Sequence, residues 1–176
     1  MNNSRLKRFL VFLTIPFGIV GVIAFAWWYF GLTLNLTNSF PIGIYQINTK
    51  TKWNKGDLVV ACPPNNNKFK INNHNYLGKG HCPSGTYPLL KKIGAVPGDL
   101  VEVKNLVYIN GVQQKNSNVY MWNNFTKMHP CYGKRIIAPG TIWIMSDYNE
   151  KSFDSRYFCE VPAANVIGKA KLLLEF

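Results

Sequence analysis

The chain has 176 residues, which is enough for one domain of ordinary size and a small additional element. Its formal net charge is +12, and the basic residues from Lys50 to Lys171 are scattered rather than clustered. A basic chain can bind nucleic acid or an anionic membrane surface, but no nucleic-acid recognition motif accompanies the charge. The absence of such a motif, together with the scattered charge, argues against nucleic acid as a partner.

An uncharged apolar run at residues 9–32 predicts a transmembrane anchor. It exceeds the roughly 20 residues that a helix needs to cross the hydrocarbon core, and it ends in an aromatic cluster typical of the membrane interface. Three basic residues precede it, so residues 1–8 are predicted to be cytoplasmic and residues 33–176 to form an extracytoplasmic domain. A cleaved signal peptide is the alternative, because Ala24-Phe25-Ala26 matches a cleavage pattern, but the apolar run continues beyond that site.

The pattern after the apolar run predicts a mainly β domain of short strands and turns. No amphipathic helical period of convincing length is present, residues 63–75 are predicted to be a polar loop, and residues 115–134 have no clear period. The predicted strands are Ile42–Ile47, Asp57–Cys62, Tyr87–Val96, the segment Leu100–Val112 with turns at Lys104-Asn105 and Asn110-Gly111, Gly140–Asp147, and a closing strand pair within Asn165–Phe176.

The chain has four cysteines, and an even number in an exported domain predicts two disulfides. Chain order suggests the pairs Cys62–Cys82 and Cys131–Cys159, although four cysteines allow three pairings. A zinc site is the alternative, because a histidine lies beside or near a cysteine in two places, but no Cys-x-x-Cys spacing supports it. We predict no metal and no other cofactor.

Two adjacent lysines, Lys91 and Lys92, interrupt an otherwise apolar predicted strand. Neighbouring residues on a strand face opposite sides, so one lysine is predicted to point inward and the other outward. An outward lysine on an edge strand would simply oppose aggregation. Burial lowers the pKa of a lysine, and a neutral amine can take a proton from a serine hydroxyl, which gives a Ser-Lys nucleophile.

Two other polar stretches contain candidate reactive groups. Ser39 follows the apolar run and, by itself, is an ordinary turn residue. Residues 146–158 bring Ser152, Asp154 and Arg156 together between two predicted strands, and the simplest interpretation is a polar turn with a local ion pair. A histidine triad is disfavoured, because the histidines lie in loop-like stretches and no Gly-x-Ser-x-Gly elbow is present.

Three of these stretches, in this order behind an N-terminal apolar segment, resemble the type I signal peptidases. The resemblance is greatest to their conjugative-transfer branch, the TraF-type peptidases. The matching stretches are Thr37–Tyr45, Leu89–Asp99 and Ser152–Phe158. The resemblance implies a signal-peptidase/LexA-like catalytic domain, built on a coiled β-sheet, behind one transmembrane helix.

The resemblance also implies the reacting groups. Ser39 would be the nucleophile and Lys91 the general base that takes its proton. The hydroxyl of Thr37 and the backbone N–H of Ser39 would form the oxyanion hole, where each donor contributes about 3–4 kcal/mol to transition-state stabilisation.

Four further residues are assigned supporting roles by the same resemblance. Ser152 would hydrogen-bond the Lys91 amine and orient it, and Asp154 and Arg156 would form a supporting pair. Lys92 stands where many signal peptidases have arginine, and it is expected to face Asp154.

The implied activity is cleavage of exported precursor proteins through an acyl-enzyme, at the bacterial inner membrane. The anchor would cross once, with the N-terminus cytoplasmic and the catalytic domain periplasmic. The substrates would be membrane-inserted precursors with small side chains before the cut, and in the conjugative branch these are pilin precursors. In some members of that branch the substrate's own amine resolves the acyl-enzyme and yields a cyclic pilin. The implied partners are therefore the precursor, the lipid bilayer and other conjugation or secretion components.

Two alternatives to a signal peptidase remain at the level of the sequence. A self-cleaving Ser-Lys regulator of the LexA type has a related β fold, but the apolar anchor and the absence of a DNA-binding helical domain argue against it. The alternative from another class is a non-catalytic, membrane-anchored β module that takes part in pilus or secretion-system assembly. Such a module would not need Ser39, Lys91 and Ser152 together.

Overall fold

The computed structural model describes residues 17–73, 76–123 and 126–176. The described part of the chain is mainly β, as predicted, with three helices and one short 3₁₀ turn at Ala163–Asn165. The helices are α1 at residues 17–29, α2 at Asn67–Asn73 and α3 at Ser155–Phe158. The strands are β1 Leu32–Asn35, β2 Gly43–Asn48, β3 Leu58–Ala61, β4 Leu89–Ala95, β5 Leu100–Val103, β6 Val107–Ile109, β7 Val112–Gln113, β8 Trp122–Asn123, β9 Thr126–Lys127, β10 Gly133–Ile136, β11 Thr141–Met145, β12 Val161–Pro162 and β13 Val166–Glu175.

Helix α1 coincides with the second half of the predicted anchor. Residues 1–16, which include the predicted cytoplasmic segment and the start of the apolar run, lie outside the described residues. Among the residues that are described, no helix is both long enough and apolar enough to cross a membrane. Helix α1 is followed directly by β1, whose first residue is Leu32.

Seven strands form the principal sheet, in the antiparallel order β1-β2-β13-β3-β4-β11-β12. Strand β4 shows strict alternation of burial, which places Leu89, Lys91, Ile93 and Ala95 on the inner side. The same alternation places Lys92 on the outer side. The sheet therefore orients the two lysines in opposite directions, as predicted.

A second sheet has the order β10-β5-β6-β7, and β8 pairs with β9 in a separate hairpin. The turn between β6 and β7 is Asn110-Gly111, and both residues have positive φ angles, 53° and 81°. This is the turn chemistry that joins tightly paired antiparallel strands, and it confirms the predicted turn. Two apolar cores result, one around Ile93, Ile144 and Phe158 and the other around Trp143.

Both disulfides connect the predicted cysteines. Cys62 pairs with Cys82 across a Cα–Cα distance of 5.4 Å, and Cys131 pairs with Cys159 across 5.5 Å. No cysteine of the chain is left as a free thiol, so none can supply a thiolate to zinc. This excludes the alternative of a cysteine-ligated zinc site.

Two predictions of secondary structure are wrong. The predicted loop at residues 63–75 contains α2, which begins where the Asn66 side chain accepts a hydrogen bond from the Phe69 backbone N–H at 2.7 Å. Phe69 is buried in the larger core and holds the helix in place. The predicted closing strand pair is one ten-residue strand, β13, which pairs with β2 on one side and with β3 on the other.

Candidate active site

An open cleft of about 870 Å³ lies beside the start of the principal sheet. One wall is formed by residues 33–39, which run from β1 into the following turn, and another by residues 87–91 at the start of β4. Leu34 and Leu36 are the apolar residues of the first wall, and Tyr87, Leu89 and Leu90 are apolar or aromatic residues of the second. Ser39, Lys91 and Ser152 provide polar groups in the lining. Such a cleft can accommodate an extended peptide segment.

The cleft brings Ser39 and Lys91 together although they are 52 residues apart in the chain. The Lys91 Nζ lies 2.8 Å from the Ser39 Oγ. Lys91 is only 1% exposed, because its side chain leaves the inner face of β4, whereas Ser39 is half-buried at the cleft surface. A buried amine at this distance is able to exchange a proton with the serine hydroxyl.

The Lys91 amine has a lowered pKa, and burial is the main cause. Burial lowers the pKa of the amine from 10.5 to about 8, because the ammonium form loses its hydration. The positive charge of Arg156 acts in the same direction, and the negative charge of Asp154 opposes both. At pH 8 about half of the lysine is consequently present as the neutral amine.

Ser152 contacts the serine rather than the lysine. Its Oγ lies 3.3 Å from the Ser39 Oγ, and its side chain is 4% exposed. The expected hydrogen bond from Ser152 to the Lys91 amine is not formed, so this part of the prediction is wrong in geometric detail. The Ser39 hydroxyl instead lies within hydrogen-bond distance of both neighbours.

Asp154 and Arg156 form the predicted pair, and both side chains are completely buried. The Arg156 Nη2 lies 2.7 Å from Asp154 Oδ2, and its Nε donates to Oδ1 at 2.8 Å. The remaining guanidinium donors bind backbone carbonyls, including that of Ser152 at 3.0 Å. Asp154 also accepts a hydrogen bond from the Ser146 backbone N–H and caps α3 through the N–H of Arg156. The pair therefore fixes the backbone on both sides of Ser152.

Lys92 does not face Asp154, and this prediction is wrong. Its Nζ lies 2.6 Å from Asp147 Oδ2, in a pair whose side chains are 41% and 35% exposed. The alternation of β4 explains the difference, because it directs Lys92 away from the inner side of the sheet where Asp154 is buried.

The Thr37 hydroxyl is engaged in a hydrogen bond within its own turn. It donates to Asn35 Oδ1 at 2.7 Å, and the Thr37 backbone N–H points to the same oxygen at 3.2 Å. The hydroxyl hydrogen must therefore turn before it can serve an oxyanion. The role of Thr37 in an oxyanion hole stays a prediction.

Sequence reasoning did not identify three residues that hold the turn around Ser39. Asn35 binds the turn from the β1 side. From the other side, the Ser146 Oγ donates to the Ser39 carbonyl at 2.6 Å, and the Asn149 Nδ2 donates to the Asn38 carbonyl at 3.0 Å. The stretch from Ser146 to Asn149 overlaps the predicted end of a strand, and its polar residues at that position were the available signal.

Neither of the two histidines that the structure describes lines the cleft, where a catalytic triad would need one. His81 and His129 lie elsewhere, and His74 is outside the described residues. Among the residues that line the cleft, Lys91 is the titratable group that hydrogen-bonds the Ser39 hydroxyl. The geometry thus favours an amine over an imidazole as the proton acceptor.

A mainly β domain with a buried lysine beside a cleft serine is a candidate for serine hydrolase chemistry. The chain belongs to the signal peptidase family, peptidase S26, whose model matches residues 5–175. This membership makes it a serine peptidase of the signal-peptidase type.

The curated relatives place the chain near the conjugative branch of that family. It is 32% identical to a probable conjugal transfer protein TraF of Sinorhizobium fredii, over 99% of this chain and 95% of that protein. It is 29% identical to a plasmid transfer protein TraF of Escherichia coli, over 93% of this chain and 94% of that protein. A signal peptidase I of Mycobacterium tuberculosis is 30% identical over 68% of this chain and 51% of that protein. The resemblance to TraF-type signal peptidases is confirmed.

Proposed function

We propose that the protein is a membrane-anchored, periplasm-facing endopeptidase that cleaves exported precursors with Ser39 as nucleophile and Lys91 as general base. The observation that carries the proposal is the buried Lys91 amine, 2.8 Å from the Ser39 Oγ at the wall of a cleft. The lowered pKa of Lys91 supports the same roles, because a base must be neutral to accept a proton.

The acylation step starts with the neutral amine of Lys91. It takes the hydroxyl proton of Ser39 while the Oγ forms a bond to the carbonyl carbon of the substrate. The tetrahedral oxyanion is bound by the backbone N–H of Ser39 and by the Thr37 hydroxyl, once that hydroxyl turns from Asn35. The lysine ammonium then protonates the leaving amine, the C–N bond breaks, and an ester to Ser39 remains.

Release of the acyl group reuses Lys91. The neutral amine takes a proton from water as the water oxygen attacks the ester, and the ammonium returns that proton to the Ser39 oxygen. If the free amino group of the substrate attacks in place of water, the product is a cyclic protein. The two outcomes differ by one water molecule in mass.

The buried pair Asp154–Arg156 supports this chemistry electrostatically. The two charges act on the pKa of Lys91 in opposite directions, so the lysine is not forced into its charged form by a lone carboxylate. The pair also fixes the backbone carbonyl of Ser152, whose hydroxyl contacts Ser39.

The substrate is proposed to be a conjugative pilin precursor or a similar exported protein with small residues before the cut. The similarity to conjugal transfer proteins over nearly the whole chain supports this substrate class. The membrane location is supported by the apolar run at residues 9–32 and by the exposed side chains of Leu34 and Leu36 close to the serine. A membrane-inserted precursor would reach the cleft from that side.

The test is a processing assay on a candidate pilin precursor in membranes, with three variants. Ser39→Ala and Lys91→Ala are expected to abolish cleavage, because each removes a group that the acylation step needs. Lys92→Ala is the matched control, since it removes the adjacent lysine of the same strand and should retain cleavage within a few-fold. Normal processing by Lys91→Ala would overturn the dyad and favour a non-catalytic assembly module. Intact mass of the product separates hydrolysis from cyclisation.

A further inference from the structure

Asn35 is a buried polar residue whose side chain makes five hydrogen-bond contacts to the turn that carries Ser39. It is the last residue of β1 and is 7% exposed. Its Oδ1 accepts from the backbone N–H of Thr37 at 3.2 Å and from the Thr37 hydroxyl at 2.7 Å. Its Nδ2 lies 3.0 Å from the Thr37 carbonyl, 3.1 Å from that of Phe40 and 3.0 Å from that of Pro41.

These contacts surround the nucleophile in the chain, two of their partners lying after Ser39 and one before it. The turn is not part of a strand ladder, so its carbonyls need donors from a side chain or from water. An asparagine amide supplies donors and an acceptor from one rigid group, whereas an aspartate would present only acceptors to the same carbonyls. An amide side chain at residue 35 therefore matches both the carbonyl acceptors and the Thr37 donors of the turn.

The position of the Ser39 hydroxyl relative to Lys91 depends on the path of the turn that carries Ser39. The 2.8 Å separation of its Oγ from the Lys91 Nζ joins a turn to a strand of the sheet interior, and only the strand is held by ladder hydrogen bonds. Misplacing a reacting group by about 1 Å can cost on the order of 100-fold in rate. A residue that fixes the turn would thus control the rate through the position of Ser39.

We propose that Asn35 is a positioning residue, which fixes the turn and thereby holds the Ser39 hydroxyl against the Lys91 amine. This inference rests on the proposed function of the same site. Asn35 acts through the position of Ser39, and it takes no part in proton transfer.

The first test needs no precursor and measures the position of the nucleophile directly. All four cysteines of the chain form disulfides, so Ser39→Cys introduces a single free thiol. A neighbouring lysine lowers the pKa of a thiol, and the pH midpoint of alkylation by iodoacetamide reports that pKa. Adding Asn35→Ala is expected to move the midpoint upward, toward the ordinary cysteine value of about 8.5. Adding Asn35→Asp should also move it upward, because the carbonyls of Thr37, Phe40 and Pro41 lose the amide donor.

Asn72→Ala is the matched control in the same Ser39→Cys background. Asn72 is also a buried asparagine, 1% exposed, and its side chain hydrogen-bonds the backbone of His129 and Tyr157. Its replacement should lower the melting temperature while leaving the alkylation midpoint unchanged. An unchanged midpoint with Asn35→Ala, or an equal shift with Asn72→Ala, would overturn the proposal.

The second test uses precursor cleavage with Ser39 in place. We expect Asn35→Ala to lower kcat by about 10- to 100-fold and to change KM by less than about twofold, after correction for the folded fraction. Asn72→Ala should keep kcat within a few-fold. A rise in KM with unchanged kcat would contradict a positioning role. If the wild-type protein cleaves no precursor, the proposed function fails, and the alkylation midpoint alone decides the role of Asn35.

Discussion

Lys91 is the residue at which stability and reactivity conflict most directly. Its amine is buried on the inner face of β4, where an ammonium group loses most of its hydration. The same burial produces the neutral amine that the proposed chemistry needs. We therefore expect Lys91 to govern both the pH dependence of cleavage and part of the pH dependence of folding.

The rate of cleavage should rise with pH and level off above pH 8. The pKa of Lys91 is about 8, so the neutral fraction falls about tenfold for each pH unit below that value. Precursor cleavage measured as kcat/KM between pH 6 and pH 10 should follow this curve. Lys92→Ala should show the same midpoint as the wild-type protein. A flat profile from pH 6 to pH 8 would speak against Lys91 as the base.

Replacing Lys91 by methionine should stabilise the fold at neutral pH while abolishing activity. The pKa of Lys91 in the folded protein, about 8, is lower than its ordinary value of 10.5, so between these values the unfolded chain binds more protons and stability rises with pH. Below pH 8 the charged amine costs about 3 kcal/mol relative to a neutral side chain. Thermal unfolding should show a higher melting temperature for Lys91→Met at pH 7 and a much smaller difference at pH 10.5. A lower melting temperature at pH 7 would be inconsistent with this cost.

The unusual side chains around the proposed site were visible in the sequence, whereas Ser39 was assigned only through the resemblance to signal peptidases. A lysine in an apolar strand and an Asp–Arg pair in a polar loop are conspicuous, and both were found where expected. Asn35 and Ser146 were missed because they bind backbone groups of the turn around Ser39. The residue types of that turn do not predict its path. The predicted partner of Lys92, Asp154, was wrong. Only the folded sheet shows that Asp147 lies beside Lys92 on the outer side.

At the scale of elements, the segment between β3 and β4 forms part of the cleft wall with little support from the sheets. Four residues of this segment line the cleft: Tyr76, Leu77, Gly78 and Tyr87. Its described residues contain one isolated antiparallel β-bridge, between Lys79 and Thr86. The disulfide between Cys62 and Cys82 ties the segment to the end of β3.

Removing that disulfide should weaken substrate binding more than it slows the chemical step. The double variant Cys62→Ser/Cys82→Ser is expected to lose about 2–4 kcal/mol of stability, because the unfolded chain is no longer cross-linked. With the wall released and Lys91 still on its strand, KM for a precursor peptide should rise several-fold and kcat should change less. Both quantities are measured at a temperature where the variant is fully folded. An unchanged KM would indicate that the wall does not contact substrate.

The prediction of elements succeeded where alternation or turn chemistry was strong. Strands β3, β4 and β11 lie within predicted strands, and β2 extends one residue beyond its predicted end, to Asn48. Helix α2 was missed because it has only seven residues, too few to establish a helical period. Strand β13 was split into two because its neighbours change along its length, with register shifts near Gly168 and between Leu172 and Leu174, and such bulges have no clear pattern in the sequence.

At the scale of the whole molecule, the two disulfides indicate an oxidising compartment. Protein isolated from bacterial envelopes without reductant, then denatured, should gain no mass from a maleimide reagent. After reduction it should gain four additions, one for each cysteine of the chain. Incorporation into the unreduced protein would argue against the proposed periplasmic location. Protein made in a reducing cytoplasm provides the comparison, since its thiols should react before reduction.

The position of β13 also has a consequence for the timing of assembly. In the sheet it lies between β2, which follows the turn of Ser39, and β3, which pairs with the strand of Lys91. In the chain it comes after every other described strand, so the ribosome makes it last. The two halves of the site therefore cannot be joined through the sheet until β13 has been made and has paired with both neighbours. We therefore expect a chain that lacks β13 to be inactive in precursor cleavage, because its Ser39 and Lys91 would not be held in position by one sheet.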